Sequence, residues 1–223
     1  MTRAASRKLR ITEIFHSLQG ESTRVGVPTV FVRLTGCPLR CTWCDTSYAF
    51  SGGEDTSIDQ VLDRVASWSC KTVCVTGGEP LAQKACAQLL AALCDAGYSV
   101  SLETSGALDV SGVDPRVSRI VDLKAPDSGE SARNLWSNLT HLGAHDELKL
   151  VLASRDDYDW AVAACREHGL LDGTGRDRPA ILFSPVHGRL EAATLAQWIL
   201  DDHLPVRFQW QLHKLLWGAT PGR

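Results

Sequence analysis

The sequence predicts an α/β fold, a partial and open β/α barrel of about six mainly parallel strands. Three observations predict it. Short runs rich in Val, Ile and Leu alternate along the chain with segments of helical periodicity. Few of those runs alternate polar with apolar residues, the pattern of strands buried on both faces. The 223 residues fall short of the roughly 250 of a complete eight-stranded barrel, and an N-terminal segment and long loops use part of them. Crossovers in such a fold are right-handed, and reactive residues gather at the strand C-terminal ends.

Taken in order, ITEIFHSL (11–18) and TVFVRL (29–34) read as strands, and YAFSGGEDT (48–56) as irregular. SIDQVLDRVASW (57–68) reads as a helix with Ser57 at its N-cap. The strand KTVCVT (71–76) precedes a long Ala/Leu-rich helix, LAQKACAQLLAALCDAG (81–97), closed by Gly97. YSVSLET (98–104) is the next strand, and RIVDLK (119–124) is the one clear strand within the irregular stretch 114–146. ELKLVL (147–152), AILFSP (180–185) and VRFQWQL (206–212) complete the strands; the helices RDDYDWAVAACREHG (155–169) and LEAATLAQWILDDH (190–203) lie between them. No repeat, linker or low-complexity segment interrupts the series, so one domain over 1–223 is expected.

Composition excludes several classes. Hydrophobic residues make up 44% and charged residues 22%, with a formal net charge of −3, values ordinary for a globular chain. No basic run follows the first ten residues, so no nucleic-acid surface is expected. No stretch approaches 18 apolar residues, so no membrane span is expected. The opening MTRAASRKLRITEIF lacks the apolar core of a signal peptide. A cytoplasmic location is the expectation.

Of eight cysteines, Cys70, Cys74, Cys86, Cys94 and Cys165 are scattered among apolar neighbours and read as small core residues. The other three fall in GCPLRCTWCDT (36–46), where Cys37, Cys41 and Cys44 form C-x3-C-x2-C just after a strand. Thiolates this close suit zinc, copper(I) or an iron–sulfur cluster. A structural zinc needs a fourth Cys or His, yet the nearest histidines in sequence are His16 and His141. A 4Fe-4S cluster is usually held by four cysteines; three leave one iron open. S-adenosylmethionine (SAM) can chelate that iron through its amino and carboxylate groups. An electron from the cluster then breaks the sulfonium C–S bond to give a 5′-deoxyadenosyl radical, while the protein supplies alignment and keeps water away. Trp43 either covers the cluster or lies near the adenine; both readings stand.

The cysteine spacing resembles that of the radical SAM superfamily. With its upstream residues, EIFHSLQGESTRVGVPTVFVRLTGCPLRCTWCDT (13–46) is similar to the 7-carboxy-7-deazaguanine synthase family. TGGEP (76–80), LETSG (102–106), VDLKAP (121–126) and QLHKLLWG (211–218) extend the likeness over nearly the whole chain. The resemblance implies a carbon–nitrogen lyase of 7-deazapurine (queuosine) biosynthesis. It would convert 6-carboxy-5,6,7,8-tetrahydropterin to 7-carboxy-7-deazaguanine with release of ammonia, using the cluster, SAM and Mg²⁺. It also implies a flavodoxin or ferredoxin electron donor and a homodimer.

The resemblance assigns roles by position. Cys37, Cys41 and Cys44 hold the cluster, and Thr46 offers its hydroxyl to Mg²⁺, a hard cation suited to oxygen ligands. Leu18, Gln19, Gly20 and Glu21 meet the substrate, as do Thr76 and His213. Arg33 grips its carboxylate through two parallel hydrogen bonds. Trp43, Gly78, Ser105, the run Asp122, Leu123 and Lys124, and the turn from Ser184 to His187 belong to the SAM side. Without the resemblance, Asp45-Thr46 reads as a turn cap, Arg33 as a strand arginine reaching solvent, Gly77-Gly78 as an ordinary turn and His213 as structural or exposed.

Three departures stand out. Ser22 replaces the glycine of the common LQGEG form, a change expected to reshape the substrate loop. FSPVHG (183–188) is only loosely similar, and the ending GATPGR (218–223) leaves a role for the terminal carboxylate open. Two other readings compete: a glycyl-radical activating enzyme of the same superfamily, which does not require LQGE or Arg33, and a non-catalytic zinc or Fe–S module.

Overall fold

The structure, a computed structural model, describes residues 8–171, 178–218, 220 and 222. Residues 1–7 and the terminal carboxylate, both weighed in the sequence, lie outside these. The first two strands, β1 (Lys8–Leu18) and β2 (Pro28–Leu34), form an antiparallel hairpin. The short β3 (Glu54–Ser57) pairs antiparallel with the start of β1. From β2 the sheet runs parallel through β4 (Thr72–Gly77), β5 (Ser99–Thr104), β6 (Ser118–Lys124), β7 (Glu147–Leu152), β8 (Ala180–Pro185) and the two-residue β9 (Arg207–Phe208). The order is β3-β1-β2-β4-β5-β6-β7-β8-β9, an open sheet with β3 and β9 at its edges.

The six long parallel strands, β2 and β4 to β8, are the expected barrel. At its edges the antiparallel β1 and β3 and the short parallel β9 are added, bringing the sheet to nine strands. Segment 48–56 is also less irregular than expected, holding a 3-10 turn at Ser47–Phe50 and most of β3. EDTS is a poor strand sequence, and it extends only because the N-terminal part of β1 offers an open edge. VRFQWQL contributes only two strand residues. After one further bond, from Gln209 N to Phe183 O at 2.9 Å, the chain leaves the sheet and enters α5 (Leu212–Trp217).

Helices α1 (Ile58–Ala66), α2 (Cys86–Asp95), α3 (Arg155–Glu167) and α4 (Ala192–Asp201) complete the fold. Ser57 opens α1 with a capping box: its Oγ accepts from Gln60 N at 3.2 Å, and Gln60 Oε1 accepts from Ser57 N at 2.9 Å. Ser154 caps α3 with one bond, its Oγ accepting from Asp157 N at 3.2 Å. The second helix begins at Cys86 and not at 81. Gln83 explains the delay, because its side chain bonds Arg10 N, Arg10 O and Thr35 O on the β1–β2 hairpin, at 2.8 to 2.9 Å. The residues before α2 are thereby pinned outside the helix. The core joins the inward faces of these helices, among them Val61, Val65, Leu89, Leu93, Tyr158, Cys165 and Leu195, to strand residues such as Val32, Val75, Leu102, Leu123, Leu148 and Phe183.

One buried ion pair fastens the strands. Asp146, 1% exposed, accepts from Arg119 N (2.8 Å), Nε (3.0 Å) and Nη2 (2.6 Å), and from Gly143 N (2.8 Å). It clamps the start of β6 to the turn leading into β7.

The loop between β1 and β2 crosses the inner face of the sheet. Thr23 N and Oγ reach Glu147 on β7, and Ser22 N donates to Gln209 Oε1 at 2.9 Å. Ser22 has φ of +69°, the left-handed region where glycine is at ease. The serine therefore adopts a backbone suited to glycine, and its Oγ accepts from Arg24 N at 3.0 Å. That conformation costs a non-glycine residue about 1–2 kcal/mol, and the hydroxyl bond returns about 1 kcal/mol. Ser22→Ala, which keeps the strain and loses the bond, is expected to lower stability by about 1 kcal/mol. Ser22→Gly is expected to cost less. Chemical denaturation of the two variants checks the order.

Candidate functional site

A cavity of about 520 Å³ opens at the C-terminal ends of the parallel strands. Its wall is unlike an ordinary barrel interior, which is filled by branched apolar side chains. Arg33 and Thr76 are strand partners on β2 and β4, Glu103 stands on β5, and Asp122 and Lys149 pair across β6 and β7; all five line the cavity.

The cysteine loop forms the upper wall. Cys37, Cys41 and Cys44 all line the cavity, are partly exposed and carry free thiols. Backbone bonds shape the loop: Gly36 N to Ala49 O (2.8 Å), Thr42 N to Ser128 O (3.0 Å), Cys44 N to Cys41 O (3.2 Å) and Glu79 N to Gly36 O (2.8 Å). Burial raises the Cys37 and Cys41 thiol pKa values, and nearby anionic groups, Glu79 for one and Asp122 for the other, add to it; Lys124 works the other way. A soft metal cluster would relieve this by taking the proton's place on sulfur. Three thiols on one wall, free of disulfides, fit the donor set of an iron–sulfur cluster. Among the described residues, no three His, Cys, Asp or Glu side chains are gathered to hold a single metal ion.

Gly78 has a packing role beside any ligand contact. A Cβ there would lie 2.4 Å from Gly36 O and 2.8 Å from Cys37 Cβ, and one on Gly77 would lie 2.3 Å from Leu34 O. The two glycines let β4 run directly beneath the cysteine loop. Glu79 turns away from the cavity. Fully buried, it accepts from Thr104 Oγ1 (2.9 Å), Ser105 N (2.6 Å), Ser105 Oγ and Leu81 N (2.8 Å). Ser105 lines the cavity as expected, but its hydroxyl is committed to Glu79.

Most of the predicted site residues meet here. Leu18, Gln19, Gly20, Glu21, Arg33, Trp43, Thr46, Thr76, Gly78, Asp122, Lys124, His187 and His213 all line the cavity. Two, Leu123 and Ser184, do not line it. Leu123 is 2% exposed and faces the core, because alternation along β6 sends Asp122 and Lys124 inward and the residue between them outward. Ser184 is 1% exposed within β8, and the cavity wall is made instead by Val186, His187 and Arg189 beyond the strand end. The Arg189 guanidinium lies 5.5 Å from the Trp43 ring centroid.

Arg33 is oriented by neighbours that belong to no motif. Its Nε donates to Glu13 Oε1 at 2.7 Å, Tyr48 Oη donates to the same oxygen at 2.8 Å, and the Phe15 and Tyr48 rings flank the guanidinium at 5.8 Å. Burial, then Arg33 and Glu13 in opposite senses, leave the Tyr48 hydroxyl at a pKa of about 12, so it remains a donor. Among the described residues no hydrogen bond engages the two Nη groups of Arg33. Thr46 Oγ1 donates to Asp45 Oδ1 at 2.9 Å. Burial opposes ionisation of Asp45, but Lys214 at 2.9 Å outweighs it and holds the carboxyl at about 2. Because Thr46 is the donor in this bond, its oxygen keeps its own lone pairs unengaged by Asp45.

Residues 18–21 meet the C-terminal helix. Leu212 N donates to Gly20 O at 2.9 Å, and a Cβ on Gly20 would lie 2.1 Å from His213 Nδ1. Gln19 Nε2 and Thr76 Oγ1 both donate to Glu103, at 3.3 and 3.1 Å. Lys149 bonds Glu21 and Asp122.

Residues 31–174 match the radical SAM superfamily. The chain is 47% identical over 214 residues to 7-carboxy-7-deazaguanine synthase of Chlorobaculum tepidum, covering 94% of each chain. It is 40% identical over 223 residues to the enzyme of the same name from Koribacter versatilis, covering 94% of this chain and 97% of that one. Its backbone resembles the crystal structure of QueE from Escherichia coli with a TM-score of 0.74 at 24% identity, over 92% of this chain and 95% of that one.

Proposed function

This chain belongs to the 7-carboxy-7-deazaguanine synthase family of the radical SAM superfamily, and from that premise we propose how its own residues serve the reaction. The chemistry is that of a radical SAM lyase of 7-deazapurine (queuosine) biosynthesis, turning 6-carboxy-5,6,7,8-tetrahydropterin into 7-carboxy-7-deazaguanine and ammonia. The observation that carries the reading is a single cavity lined by all three motif cysteines together with Arg33, Thr46, Gln19, Glu21 and His213.

When bound, the cluster with SAM supplies one-electron chemistry that removes hydrogen from a carbon. The protein's part is to hold and orient. Cys37, Cys41 and Cys44 would hold the cluster. Gly78, Asp122, Lys124 and the Val186–Arg189 turn form the adjoining SAM wall. Arg33, held by Glu13 through Nε, has its terminal nitrogens free for the substrate carboxylate. Thr46 would share Mg²⁺ with that carboxylate and water. Glu21, Gln19 and Glu103 supply acceptors and donors for the amino-pyrimidinone edge, and His213 closes the far side.

The continuous sheet supports one domain over 1–223. Eight free thiols support a reducing compartment such as the cytoplasm; among the described residues no helix is long and apolar enough to cross a membrane. A flavodoxin or ferredoxin donor and a homodimer complete the proposal.

The test is anaerobic incubation of reconstituted enzyme with SAM, reductant and the tetrahydropterin acid. An ultraviolet-absorbing deazapurine product is expected, and its absence alongside SAM cleavage overturns the reading. Arg33→Lys loses one arm of a charge-assisted fork, worth about 1.5–3 kcal/mol. A fall in product kcat/KM of roughly 10- to 100-fold is therefore expected, with uncoupled 5′-deoxyadenosine formation still measurable. Equal loss of both activities would reassign Arg33 to the fold.

A further inference from the structure

Lys149 belongs to no motif, yet it lies at the centre of a charge cluster in the cavity wall. Its Nζ donates to Glu21 Oε2 at 2.7 Å and stands 3.3 Å from Asp122 Oδ2. Asp122 Oδ2 is also 3.1 Å from Lys124 Nζ, so four charges alternate from the substrate segment to the SAM wall. Glu21 Oε1 accepts from Gln211 Nε2 at 2.7 Å. The Glu21 carboxylate is thus fixed from two sides, by a strand of the sheet and by the C-terminal segment.

Resting on the functional reading above, we propose that Lys149 is a positioning residue for substrate: it fixes Glu21 as an oriented anion facing the amino-pyrimidinone edge of the pterin, and ties that anion to the SAM-side Asp122. The argument starts from cost. Lys149 is 8% exposed, and a buried ion pair is seldom more stabilising than an apolar pair of the same volume. A leucine at this barrel position would be the inexpensive solution. What the lysine adds is a charge state. The pterin edge offers neighbouring N–H donors, and only an ionised carboxylate accepts from both. Burial alone would push the Glu21 carboxyl up towards the neutral form; the Lys149 charge and hydrogen bond outweigh it and hold it below the ordinary value. Burial likewise works against the Lys149 ammonium, but Glu21, Asp122 and Glu103 raise its pKa well above that of a free lysine. The ammonium is therefore a permanent charge and not a proton donor. Asp122 Oδ1, buried without a partner among the described residues, keeps a free acceptor at the SAM end of the same chain of charges.

The test uses reconstituted enzyme and 6-carboxypterin, the redox-inert aromatic analogue, as the binding probe. Lys149→Met is expected to retain wild-type iron content. It should weaken 6-carboxypterin binding at least about 10-fold and lower product kcat/KM on the order of 100-fold, the usual consequence of a reactant misplaced by about 1 Å. Lys149→Arg, which keeps the charge, should recover part of both losses. In a double-mutant cycle, Glu21→Gln with Lys149→Met should lose little more than Glu21→Gln alone, because the lysine acts through that carboxylate. Wild-type affinity for 6-carboxypterin in Lys149→Met, or losses that add fully in the cycle, overturn the proposal. So does iron loss in both Lys149→Met and Lys149→Arg, which makes the residue structural. Wild-type enzyme that cleaves SAM but neither binds nor converts the pterin overturns the functional reading itself, a result distinguishable from any failure confined to the Lys149 variants.

Discussion

Cys44→Ser is expected to abolish both iron binding and SAM cleavage while leaving the fold in place. Wild-type protein purified anaerobically should be brown and carry about four iron per chain; the variant should be nearly colourless and yield no 5′-deoxyadenosine above background. Serine offers a hard oxygen that binds a soft iron site poorly at neutral pH. The fold survives because the thiols do not shape their own loop. Backbone bonds from Gly36 to Ala49, from Thr42 to Ser128 and from Glu79 to Gly36 do so, and the glycine surface of β4 lies beneath. Iron analysis, the 5′-deoxyadenosine assay and far-ultraviolet circular dichroism decide the matter together. A variant that keeps four iron and cleaves SAM would remove Cys44 as a ligand. One that unfolds would show that the loop depends on its thiols after all.

Asp146→Ala should give a large loss of stability although it lies away from the cavity. The carboxylate is almost wholly buried and receives four hydrogen bonds, three of them from Arg119. Removing it strands the charge of Arg119, a residue that is 8% exposed. Breaking a buried pair by removing one partner costs about 3–5 kcal/mol, and in a chain of this size each kcal/mol shifts the melting temperature by about 2–4 °C. A drop on the order of 10 °C is expected in calorimetry. Replacing both partners, as Arg119→Met with Asp146→Leu, should return most of it, because apolar packing can substitute for a buried pair. A single variant within about 1 kcal/mol of wild type would mean that solvent reaches the arginine and the clamp is unimportant.

The parallel strands were legible because each is a short Val/Ile/Leu run whose burial on both faces leaves a local signature. ELKLVL and AILFSP match β7 and β8 end to end. What could not be read locally depends on partners elsewhere. EDTS becomes β3 only beside the N-terminal half of β1. The late start of α2 follows from Gln83 bonding two strands more than forty residues away. In the site, the cysteines, Arg33 and Thr46, all of which line the cavity, are marked by their motifs. Leu123 and Ser184 were drawn in with their neighbours, and strand geometry then set them apart from the cavity. Glu13, Tyr48 and Lys149 carry no local signal, for the opposite reason. Each looks like an ordinary strand or loop residue in sequence, and its part is visible only once a guanidinium or a carboxylate is seen leaning on it.

The contact between Gly20 and the His213 ring has a practical side. The last helix and the first hairpin form one seam, although they lie at opposite ends of the chain. Clipping the protein shortly after Gln211 would leave the nine-stranded sheet intact and the reaction chamber unroofed. A preparation nicked there by a protease would melt like the intact enzyme and still fail to retain its pterin. Purification handles are therefore better fused to the amino terminus.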